Sequence, residues 1–463
     1  MLQLSDAMLE KLNITPGREV VFSCGSIKFT AVVTNRDTGT NCLSRDAHTL
    51  NIGCLRGINQ PLALFFNERE NELKIGPVVA VLSGIPVMFL APEVVSLYRT
   101  IAVAARDAGM LFYVFTPDLI NFANGTVNGF YYSPYALSHN GWIMREFPLP
   151  DIIYNQAGFI SDELKPMYRK LLLEYLQEHI NVKLVNPFLA LNDKLATHKI
   201  LWGDQLAKDY IPETRDCACT ADILAMLQKY DAVHLKPCVS SLGRGVLKVS
   251  LQDNGSFMIQ FHRHTGKKIT EIIRGEDALS ARLQPLLEQQ PYLVQQSIPL
   301  IQYENRPVDF RVHLFKNEQG RWECLVVKAR LGPVAGVVTG LAGGGFRLAG
   351  DKLLGKLFPP AETRLILGDI EATTLMLAQA LERLLAKEFG ELGFDMGVDG
   401  EGKVWMIEVN PKPNWNVPPE VNVVKEEQKL AAHFLGYCRY LLNLNTLSGG
   451  LETPFHSRRG YTD

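Results

Sequence analysis

The sequence predicts an α/β chain of several domains, and three observations carry that reading. At 463 residues it exceeds what one ordinary hydrophobic core supports. Apolar runs alternating with a helical pattern begin at Ile75-Gly76-Pro77, as in a parallel sheet. Toward the C-terminal end, Gly393–Pro413 (GFDMGVDGEGKVWMIEVNPKP) reads as a hairpin with acidic and amide side chains on one face. The expected layout is a β-rich module over 1–75, a small parallel α/β domain over 76–186, a larger α+β domain over 187–430, and a helix with tail over 431–463.

Composition narrows the function classes. With 47% apolar residues, 21% charged residues and a net charge of −2, the chain is an ordinary globular protein, not a nucleic-acid or membrane-surface binder. The opening MLQLSDAMLEKLNI has no basic stretch before an apolar core, so no signal peptide is expected. No run reaches the ~20 apolar residues of a membrane span. The eight cysteines are scattered, and Cys217 and Cys219 lack the spacing of the common zinc and redox pairs. Cys238 and Cys324 sit in strand-like runs, so reduced structural thiols in the cytoplasm are expected.

In chain order, Val20–Phe22, Phe29–Val33 and Leu62–Phe66 are short apolar runs separated by Gly, Asn and Asp turn signals. They predict a small barrel or sandwich used for contacts. Val78–Leu82 reads as a buried strand. Pro92–Gly109 has helical spacing (Val95, Leu97, Ile101, Ala105, Ala108) and a glycine stop, and Met110–Phe115 is the next strand. Asp151–Tyr154, a helix over Asp162–His179 and Val182–Val185 repeat the unit. No GxGxxG follows the first strand, so the dinucleotide fingerprint is missing.

Chemistry-bearing residues gather after 187. Asp193 or Asn192 caps a helix whose apolar positions are Leu195, Ile200, Leu201 and Leu206. The strand Val233–Pro237 ends with Lys236 and feeds Ser240–Val246, where Ser240, Ser241, Gly243 and Gly245 could turn backbone N–H groups onto phosphate oxygens. A plain hairpin turn and a solvated edge lysine explain each piece alone. Together with the acidic hairpin, they fit a polyphosphate and its metal. Tyr292–Ile298 is a buried strand that turns polar at Gln295-Gln296. Val308–Leu314 alternates Asp309, Arg311 and His313 against apolar residues. Arg311 is therefore either a buried anion-binding group or half of an Asp–Arg pair on a wet face. Leu325–Ala329 leads to Arg330, and Thr339–Gly345 is a second glycine-rich loop. A helix over Glu371–Phe389, closed by Gly390, would bury Leu377, Leu381, Leu384 and Leu385.

In the hairpin, Asp399-Gly400-Glu401-Gly402 is the connection. If Val398 pairs with Lys403, Asp395 lies opposite Met406 and diagonal to Glu408. Asp395, Glu408 and Asn410 then share a face whose oxygens suit a hard cation such as magnesium. A solvated polar face on a half-buried hairpin is the alternative.

The motifs DK-x(4)-K, HLKP with SSLGRG, VDFRVHLF, the GG loop, GFD and IEVNPKP stand in the order found in ATP-grasp enzymes. The chain resembles in particular the YheC/YheD-type ATP-grasp proteins, described as endospore coat-associated, over roughly residues 1–430. It is also similar to glutathione synthetase and D-alanine–D-alanine ligase-like enzymes. The resemblance implies an ATP-grasp fold with a lid subdomain near 205–292, and an ATP-dependent carboxylate–amine or thiol ligase working through an acyl phosphate. It assigns Lys194 and Lys236 to ATP phosphates, with Ser240, Ser241, Gly243 and Gly245 folding over them as a lid. Gln295, Gln296 and Ile298 would form the hinge that reads adenine. Asp395, Glu408 and Asn410 would hold magnesium, with manganese as an alternative, and Arg311 and Arg330 would neutralise the transferred phosphoryl group. Implied partners are ATP, an acid and an amine of unknown identity, and spore-coat proteins, with neither nucleic acid nor membrane insertion. An idle ATP-binding protein of the spore coat and a phosphotransferase are the rival readings.

Two departures matter. D-alanine–D-alanine ligases carry arginine two residues before the metal aspartate, where this chain has Gly393. The second glycine loop opens on Thr339, where relatives often have asparagine, and its hydroxyl would stand in as a donor.

Overall fold

The computed structural model describes residues 2–35, 42–43, 60–136, 139–157, 160–176, 182–186, 191, 193–239, 244–262, 267–337, 339, 345–413, 415, 421–444, 448–449 and 453–454. The fold is mixed α/β. Two compact units account for the chain: Met1–Pro187 with Lys316–Arg321 and Glu427–Asp463, and Phe188–Phe315 with Trp322–Glu426. Among the described residues no helix is long and apolar enough to cross a membrane.

In the first unit, six N-terminal strands and Ser448–Gly449 form a seven-stranded mixed sheet among the described residues. The long strand Ile27–Asn35 pairs antiparallel with Glu19–Cys24 and parallel with Leu2–Leu4. A second sheet holds the parallel strands Leu111–Phe115, Val78–Leu82, Ile152–Asn155 and Lys183–Val185 side by side. All of Val78–Leu82 and Leu111–Phe115 is buried, as continuous apolar runs in a parallel sheet require. The helix expected over Asp162–His179 is a short α-turn, Lys165–Arg169, running into a π-helix, Lys170–Tyr175. A hairpin of Thr126–Tyr132 and Trp142–Pro148 adds an antiparallel edge.

The second unit is built from two sheets. The first, in the order Thr214–Cys217, Tyr292–Gln296, Ala232–Pro237, Leu247–Leu251, Ser256–His262, Lys268–Arg274, is antiparallel throughout. Helices Thr220–Leu227 and Glu276–Leu287 supply Ile223, Met226, Leu279 and Leu283 to its core. Val233 and Leu235 point into that core, so the period-2 rule puts His234 and Lys236 on the opposite face.

The second sheet runs Phe346–Ala349, Trp322–Leu331, Arg306–Lys316, Glu391–Val398, Val404–Asn410. Phe310, Val312, Phe394, Met396 and Met406 form one core with Ile366, Ile370 and Leu377 of the helix Pro360–Leu385. Asp309, Arg311, His313 and Asp395, on alternate positions, therefore occupy the other face.

That helix corrects the sequence reading at both ends. It begins at Pro360, a residue suited to the first helical position, and stops at Ala386 in a left-handed conformation, not at Gly390. Ile366 and Ile370 extend the buried stripe N-terminally, and Leu384 is 41% exposed. Likewise the helix Lys194–Trp202 is capped by Asp193, whose Oδ1 accepts from Ala196 N at 3.1 Å. It ends before Leu206, which is 69% exposed, and Asn192 lies outside the described residues.

Candidate active site

The acidic hairpin has a different register from the one expected. Val398 pairs with Val404, Gly397 with Trp405 and Met396 with Met406, after which the register shifts. Ile407 is the extra residue of a β-bulge, so Asp395 lies directly opposite Glu408 and Gly393 opposite Asn410. Met406 turns into the core instead of facing the site. Without the bulge, Glu408 and Asn410 would follow Met406 onto the helix side. Asp399 holds the turn: its Oδ1 accepts from Glu401 N and Lys403 N, both at 3.0 Å, and its Oδ2 from Trp405 Nε1 at 2.8 Å.

Both arginines singled out from sequence reach this face. Arg311, on the strand paired with Asp395, grips that carboxylate through Nε and through Nη2 at 3.1 Å. Arg330 donates to Asp309 through Nε at 2.7 Å and Nη2 at 2.5 Å, and its Nη2 also lies 2.7 Å from Asp395. The Thr339 hydroxyl donates to Asp309 Oδ2, so it is spent on the protein and not held open toward a phosphate. Burial pushes the Asp395 carboxyl up, but Arg311 and Arg330 outweigh it and hold it down at about 2. The wet-face alternative for Arg311 fails, since Asp309 and Asp395 are both buried.

The two lysines converge from different elements. Lys194 opens its helix and stands 3.6 Å from Glu408 Oε1, and its amide donates to Cys238 O at 3.2 Å. Lys236 donates to Gln295 Oε1 at 2.5 Å, and burial, with Lys194 nearby, pushes its ammonium down to about 8. Two ammoniums that repel each other at one place favour an anion between them. Gln295 also donates to Thr214 Oγ1 at 2.9 Å, so its side chain positions Lys236. The Gln296 and Ser297 amides are taken by Glu213 O and Ala232 O. Ser240, Ser241 and Gly243 lie outside the described residues. Gly245 takes φ +74°, and a Cβ there would stand 2.9 Å from the Pro237 ring.

The donor set on the hairpin fits a hard cation. Burial raises the Glu408 carboxyl against the pull of Lys194, and the buried Asn410 Nδ2 has no hydrogen-bond partner among the described residues. An amide with its oxygen turned to a ligand would leave its nitrogen in that position. Asp395 contributes less freely, because both of its oxygens already accept from guanidinium groups.

Sequence reasoning missed that Lys328 and His313 meet at the Trp415 ring. Burial, reinforced by Arg311 and Arg347, pushes the Lys328 ammonium down to about 7. The signal was available as Lys328 and Arg330, two cations at alternate positions of an apolar strand. Because the folded value lies below the ordinary 10.5, the unfolded chain binds more protons between those pH values. Wild-type stability should therefore rise with pH across that window. Lys328→Met is expected to be the more stable form at pH 7, with the gap closing by at most about 1.4 kcal/mol per pH unit on the way to pH 10. Urea unfolding of both proteins across that range checks this, and parallel profiles would mean that the amine is paired.

Gly393 stands where a Cβ would come within 2.5 Å of Pro413 Cβ and 3.6 Å of Arg311 Cδ. Pro413 thus fills the space an arginine would need.

A family model described as YheC/D-like ATP-grasp matches residues 181–441. The chain is 26% identical over 381 residues to the endospore coat-associated protein YheD of Bacillus subtilis (strain 168), covering 80% of each. It is 27% identical over 352 residues to the endospore coat-associated protein YheC of the same strain, covering 76% of this chain and 93% of that one. Among solved structures, the ATP-grasp ligase PsnB complexed with minimal precursor matches at 13% identity and a TM-score of 0.43, over 77% of this chain and 98% of that one. Matched over more than half its length, the chain belongs to the YheC/D-like ATP-grasp family.

Proposed function

We propose that this protein is a Mg-ATP-dependent ligase that joins a carboxylate to an amine or thiol through an acyl phosphate, in association with the spore. The observation that carries the reading is the convergence of Arg311 and Arg330 with the Asp395–Glu408 pair and the two lysines. The names of the two Bacillus relatives support the spore association.

In the first step a carboxylate oxygen of the acid attacks the γ-phosphorus of ATP, and ADP leaves with the bridging oxygen and its electron pair. The amine or thiol then attacks the acyl carbon, inorganic phosphate leaves, and the nucleophile gives up a proton. Lys194 and Lys236 bind phosphate oxygens, while Gln295, Gln296 and Ile298 border the base. Ser240, Ser241, Gly243 and Gly245 close over the phosphates. Arg311 keeps Nη1 outside its grip on Asp395 and turns it to the transferred group, and Arg330 is oriented by its two carboxylates. Asp395, Glu408 and Asn410 would hold magnesium, which when bound neutralises charge on the phosphate oxygens.

Glu408→Gln and Asn410→Ala test this assignment. Both are expected to abolish magnesium-dependent ADP release while circular dichroism and unfolding midpoints stay near wild type. Full activity of either variant at low magnesium would remove the hairpin from cation binding and leave it a buried ion-pair network. ATP binding by wild type without ADP release, across a broad panel of acids and amines, would favour a nucleotide-holding protein of the spore coat.

A further inference from the structure

Around Trp415 lie polar groups that the reaction above leaves unused. Lys328 is 2% exposed, stands two residues before Arg330, and holds its Nζ 5.0 Å from the Trp415 ring. That Nζ has no hydrogen-bond partner among the described residues. His313, fully buried and two residues after Arg311, meets the same ring edge-on at 4.1 Å. Its Nε2 faces Glu391 Oε1 at 2.6 Å, so Nε2 carries the proton and donates, and Nδ1 is a buried acceptor without a partner among the described residues. Trp415 Nε1 is a further buried donor without a partner among the described residues.

A buried amine with nothing to bond is costly, and a ring face offsets only part of that cost. The charged groups acting on Lys328 are Arg311 and Arg347, which repel it, and Glu426 and Glu391, which attract it. Glu391 is engaged by His313, and Arg311 by Asp395. Glu426 Oε2 is itself buried without a hydrogen-bond partner among the described residues. One carboxylate therefore stands against the two cations Lys328 and Arg347, one same-face step of roughly 7 Å along the strand from Arg330.

We propose that Lys328 and the Trp415 indole N–H form a second anion subsite that takes a distal carboxylate of the acid substrate, so that the acid activated beside Arg311 and Arg330 is a dicarboxylate. This rests on the ligase reading: one carboxylate is phosphorylated, and the other fixes the acid in place.

The test uses the full chain with magnesium and a non-hydrolysable ATP analogue. Calorimetry compares butyrate, pentanoate and hexanoate with succinate, glutarate and adipate, and ADP release with ATP is measured for the same acids. Wild type is expected to bind diacids at least about tenfold more tightly than monoacids of equal length. Lys328→Met should erase that preference and leave monoacid and nucleotide affinity within about twofold. Lys328→Gln gives the same reading should the Met variant not fold. An equal preference in wild type and variant overturns the subsite, as does no preference in wild type. If acids drive ADP release without favouring diacids, the ligase reading stands and only the subsite falls. If nucleotide binds and neither acid series does, the ligase reading falls and the subsite with it.

Discussion

Arg311→Lys is expected to leave ATP affinity within about twofold of wild type while ADP release with the correct acid falls by about 10²-fold or more. Arg311 holds Asp395 through two nitrogens of a planar fork, which leaves the third aimed from a fixed angle. Lysine keeps the charge and loses the fork. It can satisfy Asp395 or approach the transferred group, but not both. The carboxylate does not become an orphan, because Arg330 Nη2 still lies 2.7 Å from it, so the fold should survive. Nucleotide affinity and single-turnover ADP release measured on the same preparation separate the two effects. A variant that releases ADP at the wild-type rate would remove Arg311 from the chemistry.

Asp309→Ala should lower stability by about 3 kcal/mol or more. Asp309 is 1% exposed and accepts from both arms of Arg330 and from the Thr339 hydroxyl. Removing it strands a mostly buried guanidinium with Asp395 as its remaining carboxylate and leaves a buried hydroxyl unpaired. A double variant, Asp309→Ala with Arg330→Met, should recover much of the loss, since breaking a buried pair costs more than deleting it. Urea denaturation of the single and double variants measures both. A single-variant loss below about 1 kcal/mol would place the pair with weak surface ion pairs.

The order of the elements was legible because it rests on short-range chemistry. Continuous apolar runs marked the buried parallel strands, and Asp193 as a cap fixed the start of the helix that carries Lys194. Alternation in Val308–Leu314 put Asp309, Arg311 and His313 on one face, which the structure repeats. What escaped depends on long-range partners. That Arg330 binds Asp309, and that Gln295 spends its side chain on Lys236 and Thr214, are pairings between residues far apart in the chain. Nothing local distinguishes buried Leu381 from exposed Leu384, because the edge of a helical stripe is set by what packs on it. The bulge at Ile407 was invisible because a period-2 reading assumes that no residue is extra.

That extra residue does more than turn Glu408 toward Asp395. Its carbonyl lies 3.2 Å from His198 Nε2, which in turn lies 3.3 Å from Gln295 Nε2, and Gln295 Oε1 takes the Lys236 ammonium at 2.5 Å. The neutral ring has one Nε2, which as an N–H donates to the Ile407 carbonyl and so cannot also accept from the Gln295 amide. His198 therefore packs between the acidic hairpin and the Gln295–Lys236 pair while bonding to the hairpin side. Burial holds His198 neutral, with its pKa down at about 3, so ordinary changes of pH do not charge it. The two sheets of this unit thus meet across one uncharged ring beside Ile407. The bulge that turns Glu408 toward Asp395 is thereby held by a group whose charge does not change with pH, next to the carboxylate proposed to hold a cation.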